Sequence, residues 1–321
     1  MTNTVMRRIG FWPRSALRTV MEVPAYPTLI VLIILAWIVQ PRLLTLPFLM
    51  IVLRQAAPLG VLALGQLHPM IGRSIDMSIG GVIALCNVLL AMPMIANGPA
   101  AGSVLLPLAV GGLVGLANAF LIARLRASAV VVTLGMSIVL VGISYIVSGG
   151  APGGEVNAVI EWLGSGRWGR FPIAGAVLFA LTALCWFALK KGVFGHGLYA
   201  LGSSFGAAFL GGVPVNRSLV MAHVAGGLLA GVAAILLTGY IGTGTLNLGA
   251  DLVLASVAAV VLGGTSFGGG TGGALGALAG ALALTFLANL LTGMGVGKPA
   301  QLIIQGAIIV VAAGLAKRRS H

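Results

Sequence analysis

Long apolar runs, separated by short polar, glycine-rich or basic breaks, set the pattern of this chain. Ten such runs lie at about 22–40, 46–70, 79–97, 101–123, 128–148, 172–190, 218–241, 250–264, 271–291 and 300–316. A helix needs roughly 20 residues to cross a bilayer, and most runs reach that length. The pattern therefore predicts an all-α polytopic membrane protein with about ten transmembrane helices in one transmembrane domain. Polar breaks at the starts of the third and eighth runs contain Asp76, in Ile75-Asp76-Met77-Ser78-Ile79-Gly80-Gly81, and Asp251, in Gly249-Ala250-Asp251-Leu252. A carboxylate ahead of an apolar segment stands where an N-cap belongs. Two such starts deep in an apolar chain predict discontinuous helices, the kind that line transporter pathways.

Composition agrees with the pattern. The chain of 321 residues is 59% hydrophobic and 7% charged, with a mean hydropathy of +1.11. A soluble domain averages about 45–50% apolar and about 25% charged residues. Forty-nine glycines suit a bundle whose helices approach closely. The net charge of +13 falls between apolar runs rather than in one patch, so it argues for topology and not for nucleic acid. The basic N-terminal stretch, with Arg7, Arg8, Arg14 and Arg18, is too long for a cleavable signal. With the N-terminus in the cytoplasm and one crossing per run, thirteen Lys and Arg lie inside and five lie outside or near the outer end. This bias places both termini in the cytoplasm. Cys86 and Cys185 sit in apolar runs and read as small apolar filler, with no disulfide framework or metal spacing.

The two halves echo one another. A first repeat at about 22–148 and a second at about 172–316 flank an external loop at about 149–171 that holds Pro152, Glu155, Glu161, Trp162 and Trp168. Asp76 and Asp251 open corresponding runs. Gly111-Gly112-Leu113-Val114-Gly115 is matched by Gly272-Gly273-Ala274-Leu275-Gly276. Five runs per half make the repeats inverted, with the pathway at their interface.

Several polar residues are candidates for that pathway or for the helix breaks: Asp76, Ser78, Asn87, Asn118, Thr133, Asn247, Asp251, Ser256, Thr265 and Ser266. The competing reading for those inside runs, with Ser137 and Asn289, is hydrogen bonding between helices. Arg73 is an ion-pair candidate for Asp76, which either breaks a helix at the pathway or caps a cytoplasmic loop. Asp251 follows a polar, glycine-containing turn, and N-capping is its leading role. His68 and His223 lie in apolar surroundings, with no metal spacing. The stretch 263–273 formally contains G-x-G-x-x-G, but no strand precedes it, and no G-x-x-x-x-G-K-[ST] occurs. It reads as a tight loop, and the chain shows no means of hydrolysing a nucleotide itself. An intramembrane enzyme lacks a nucleophile–base set in the sequence.

The inner loop at about 191–217 is too polar and glycine-rich to span. Within it Phe205, Phe209 and Leu210 stand at i, i+4 and i+5, predicting a short amphipathic helix ended by Gly211-Gly212. Such a helix either docks a partner or rests on membrane lipid.

Four stretches resemble the permease family of ATP-binding-cassette (ABC) importers for ribose, xylose and related sugars, and more distantly the branched-chain amino acid permeases. They are Leu53-Arg54-Gln55-Ala56-Ala57; Ser74 to Gly81, similar to the family's G-I-D-L-S-V-G; Asn118 to Gly150, with Thr133-Leu134-Gly135; and Tyr199-Ala200-Leu201-Gly202 to Asn216, with Ala258 to Ser266. The resemblance implies a permease subunit in the bacterial inner membrane that passes a small polar solute, a monosaccharide first of all, by alternating access. It implies a second permease subunit, identical or paralogous, a cytoplasmic ATP-binding subunit and a periplasmic or extracellular solute-binding protein, with no cofactor in this chain. It also implies that the loop around 199–213 is the coupling element, with Tyr199, Leu201, Phe205, Ala207, Ala208, Phe209, Leu210 and Gly212 at the ATPase. This chain departs from the family at Phe205 and Gly206, where a Glu is common, at Gly72 and Arg73, and at 66–70. The rival expectation is a secondary transporter using Asp76 and Asp251 as an ion site.

Overall fold

The structure is a computed structural model that describes residues 23–304, 306 and 307. The basic N-terminal stretch, most of the run at 300–316 and the basic cluster at 317–319 lie outside the described residues. The chain is mostly helical. In order it forms α1 (Ala25–Val39), α2 (Leu46–Ile71), α3 (Ile79–Leu90), α4 (Ala100–Leu125), α5 (Ala129–Ser148), α6 (Ala158–Ser165), α7 (Ile173–Lys191), α8 (Val193–Ser203), α9 (Phe205–Leu210), α10 (Val215–Ile241), α11 (Ala250–Leu262) and α12 (Ala274–Gly293). A further helix starts at 298. A two-residue hairpin, β1 (Arg167–Trp168) with β2 (Phe171–Pro172), joins α6 to α7.

Six helices, α2, α4, α5, α7, α10 and α12, are long and apolar enough to cross a membrane. Three apolar helices, α1, α3 and α11, are shorter. With 12 and 13 residues, α3 and α11 rise only about 18 and 20 Å at 1.5 Å per residue, against a hydrocarbon core of about 30 Å. The apolar run at 79–97 thus yields a helix that stops at Leu90, followed by the single turn Pro93–Ala96, because Pro93 cannot continue the ladder of hydrogen bonds.

Helices α2, α10 and α12 form the enclosed centre, and α5 presents most of its surface outward. The principal partners of α10 are α4, α2, α6 and α3. Its contact with α4 depends on glycines: a Cβ at Gly111 would overlap the Gly227 carbonyl, and one at Gly115 would overlap the His223 carbonyl. Helix α10 ends at Gly242, whose φ of +79° is open to glycine at no steric cost. The chain then runs back along α3 to Gly249, at φ +96°, which starts α11. There the N-terminal ends of α3 and α11 meet, with Gly80 against Gly249 and Val253.

The loop at about 191–217 holds two helices. Helix α9 matches the amphipathic stretch expected at Phe205–Leu210. Helix α8 was not expected, and its Leu198 and Leu201 are buried against the core. In the loop at about 149–171 Asn157 caps α6 by accepting from Val159 N–H at 3.1 Å.

Candidate translocation and docking sites

A buried polar network lies where α3 begins. Asp76, Ser78, Asn118, Thr133 and His223 are all at most 1% exposed, and Ser74 is 4% exposed. Asp76 Oδ1 accepts from Ser78 N–H at 2.9 Å and from Ser78 Oγ at 2.6 Å. Asn118 on α4 donates to Ser78 Oγ at 2.8 Å. Thr133 on α5 accepts from Met77 N–H at 2.9 Å. His223 on α10 places Nε2 2.8 Å from Ser74 Oγ and Nδ1 3.5 Å from Asp76 Oδ2. That last separation is longer than a hydrogen bond, and neither atom has another partner, nor does Asn118 Oδ1. One short segment thus ties four helices together inside the apolar core.

Three expectations change here. Arg73 does not pair with Asp76. At φ +63° its side chain turns away, donating to the carbonyls of Gly202 (2.7 Å), Gly268 (2.7 Å) and Ser203 (2.9 Å). A guanidinium suits the cluster of carbonyls at the C-terminal end of α8. Asp251 is not an N-cap. Gly249 holds that position without a side-chain bond, and Asp251 is exposed in the first turn of α11, where the helix dipole still favours a carboxylate. Lastly, a Ser74–His223–Asp76 row exists in space though not in sequence, without the His–Asp hydrogen bond of an acyl-transfer triad. Its three side chains are enclosed and serve to join segments.

The remaining candidates separate. Asn87 on α3 donates to Thr238 Oγ1 and to the Thr243 carbonyl, both at 3.1 Å, and accepts from Thr245 N–H at 2.6 Å. It fastens the α10–α11 connection to α3. Ser256 bonds within its own helix, to the Val253 carbonyl. Thr265 is buried with its hydroxyl unpaired. Ser266 caps its own loop by accepting from Gly268 N–H, and Asn247 is exposed. None of these five touches the Asp76 network through a hydrogen bond.

Sequence reasoning missed two features. The histidine partner of Ser74 lies 149 positions away, and a lone polar residue in an apolar run was the one sign of it. Gln66, within a stretch noted as atypical, is fully buried with neither end of its amide paired. Asn289 donates to Gln55 Oε1 at 2.9 Å, and Gln55 donates to Tyr240 Oη at 3.3 Å. The Arg54 guanidinium stands 5.1 Å from the Tyr240 ring centre, within cation–π range.

The loop at about 191–217 makes the second site. Phe205, Phe209 and Leu210 are 58, 67 and 87% exposed, so α9 presents its large apolar side chains outward while Ala208 faces in. Ala207 N–H donates to Ser204 Oγ at the start of α9, and Gly212, at φ +76°, closes its end. Arg73 anchors the end of α8, and Tyr199 donates to the Gly272 carbonyl at 2.8 Å. Burial holds the Tyr199 phenol above its usual pKa. Helix α8 is therefore hydrogen-bonded to both the α2–α3 segment and the α11–α12 loop. Beside α9 opens a cavity of about 970 Å³ whose lining includes Arg73, Ser74, Arg126, Phe205, Phe209 and Arg217.

The family model described as branched-chain amino acid transport system / permease component matches residues 48–313. The chain belongs to this family of transport permeases. It is 31% identical to the ribose import permease protein of Escherichia coli K12, covering 91% of this chain and 92% of the relative. It is 30% identical to the ribose import permease protein of Bacillus subtilis 168, covering 91% of each. With the galactose/methyl galactoside import permease protein of E. coli K12 the identity is 31%, over 94% of this chain and 96% of the relative. No solved structure matches the chain. Membership and the six apolar helices make it a multi-pass inner-membrane transport subunit.

Proposed function

We propose that this permease is the membrane subunit of an ATP-driven importer of a monosaccharide. The observation that carries the reading is the likeness to ribose and galactose import permeases over more than nine-tenths of each chain. Its partners are a cytoplasmic ATP-binding subunit, a second permease subunit and a solute-binding protein outside. Two inverted repeats are supported by helix lengths: α2, α3 and α4 run long, short, long, and so do α10, α11 and α12. Counting α1, the two short helices and the run at 300–316 with the six long helices gives ten crossings, with both termini in the cytoplasm. The meeting of α3 and α11 at Gly80 and Gly249 then lies between the repeats, where alternating access needs a movable joint. The Asp76 network sits at that joint and α9 is the coupling helix, with Arg73 and Tyr199 linking the two.

A second reading, ion-coupled transport, is favoured by the Asp76–His223 pair, since a buried ionisable pair in a membrane commonly marks an ion path. Vesicles containing the assembled complex separate the two. We expect uptake of a monosaccharide that stops without ATP and is indifferent to ionophores, and that Phe209→Asp abolishes while assembly of the permease persists. Uptake collapsed by a protonophore at constant ATP overturns the proposal in favour of the second reading.

A further inference from the structure

A second cavity, of about 390 Å³, lies between α4 and α10 on the outward face of the bundle. Its two walls grade from apolar to polar in the same direction. On α4 the residues Leu116, Phe120 and Arg124 follow at i, i+4 and i+8, one above another on a single helical face. On α10 Val220 stands four residues from Asn216, which lies next to the helix start. Arg126, in the left-handed conformation at φ +51°, closes the polar end. Leu116 and Phe120 are 49 and 60% exposed, so the apolar end opens to surroundings that, in a membrane, are acyl chains.

The polar end has an unmatched charge. Among the described residues neither Arg124 nor Arg126 has a carboxylate within salt-bridge distance. The whole chain holds five carboxylate side chains against eighteen Lys and Arg. No carboxylate among the described residues supplies counter-charge at this end. A groove with an apolar floor leading to two arginines and an amide has the shape and charge of one phospholipid: acyl chain on Leu116, Phe120 and Val220, phosphate on the guanidiniums, glycerol at Asn216.

We propose that this groove is a binding site for an anionic phospholipid, held by Arg124 and Arg126. The leaflet it faces, the cytoplasmic one, rests on the orientation given under the proposed function; the binding itself does not. Occupation would fill the gap between α4 and α10 and place a phosphate beside Arg126, which also lines the larger cavity near α9.

The test is native mass spectrometry of the full-length permease in detergent, titrated with dioleoyl phosphatidylglycerol or dioleoyl phosphatidylcholine. We expect the wild type to retain the phosphatidylglycerol in preference. The double variant Arg124→Gln/Arg126→Gln should lose that preference by roughly thirtyfold, the scale of two basic residues acting on an anionic headgroup. Arg217→Gln lines only the larger cavity and should keep it, and matching elution of all three proteins in gel filtration shows that folding is intact. Equal retention of the two lipids by the wild type, or an unchanged preference in the double variant, overturns the proposal. So does a double variant that keeps its lipid preference yet no longer holds the ATP-binding subunit, because the groove is then a protein-docking surface. An inverted orientation in a topology experiment moves the site to the other leaflet and leaves this result untouched.

Discussion

A carboxylate enclosed by hydrocarbon needs both oxygens occupied, and Asp76 meets that need fully at only one. Oδ1 accepts two bonds from Ser78, while Oδ2 has His223 at 3.5 Å. An amide keeps the first pair of bonds, and a leucine removes them. Asp76→Leu leaves the Ser78 N–H unpaired in the core, at a cost of about 1–3 kcal/mol, whereas Asp76→Asn should lose much less. Asp251→Ala should lower the melting temperature much less than Asp76→Leu, since its exposed carboxylate has only the helix dipole and makes no bond at the helix start. Thermal melts of the three purified variants decide this, and Asp76→Asn melting as low as Asp76→Leu would mean that charge rather than hydrogen bonding matters. The sequence located Asp76 at a helix start, but as its N-cap; the cap position is Ser78, without a side-chain bond, and Asp76 instead accepts from Ser78. The link of Asp76 to His223 was not legible, because only folding brings α10 beside α3. Arg73 misled for the opposite reason: nearness in sequence suggested an ion pair, but a left-handed backbone turned the side chain to other carbonyls.

At the scale of elements, small residues decide which helices touch. Helices α4 and α10 have backbones so close at Gly111–Gly227 and Gly115–His223 that any Cβ meets a carbonyl, the arrangement that small residues allow in membranes. Gly111→Val or Gly227→Val should therefore force the pair apart and cost at least about 1–3 kcal/mol. Gly102→Val, on the same helix α4 but with nothing within 4 Å of a Cβ, should assemble and melt like the wild type. Comparable losses in all three would show that glycine flexibility, not contact, sets the effect. The same logic explains why α8 was invisible in the sequence. Gly195, Gly197 and Gly202 read as loop residues, yet a Cβ at Gly195 would overlap the Leu189 carbonyl and one at Gly202 the Ile71 carbonyl. These glycines permit a helix to press on the core. By contrast α9 was legible, because its large side chains keep a helical period and a Gly-Gly stop follows.

For the molecule as a whole, hydropathy located the long helices to within a few residues, since lipid demands continuous apolar length and a helix satisfies its own backbone. Where the third and eighth runs hold short helices, hydropathy overstated the helix length, because apolar residues in the connecting turns count toward a run without extending its helix. The orientation of the bundle remains a reading of charge, and α7 offers the most direct test of it. Arg170 lies just before α7 and Lys191 is its last residue; both are exposed. At 19 residues this helix rises about 28 Å, enough to separate its ends across a bilayer. In a background with Cys86→Ala and Cys185→Ala, Arg170→Cys should react with an impermeant maleimide added to intact cells. Lys191→Cys should react only after the membrane is opened. The tryptophans beside Arg170, at positions 162 and 168, are exposed and suit an outer interface, whereas Lys190 and Lys191 suit the positive inner side. Reaction of Lys191→Cys from outside, with Arg170→Cys protected, would invert the bundle and turn α9 away from any cytoplasmic ATPase. Labelling of both from one side would mean that α7 does not cross at all.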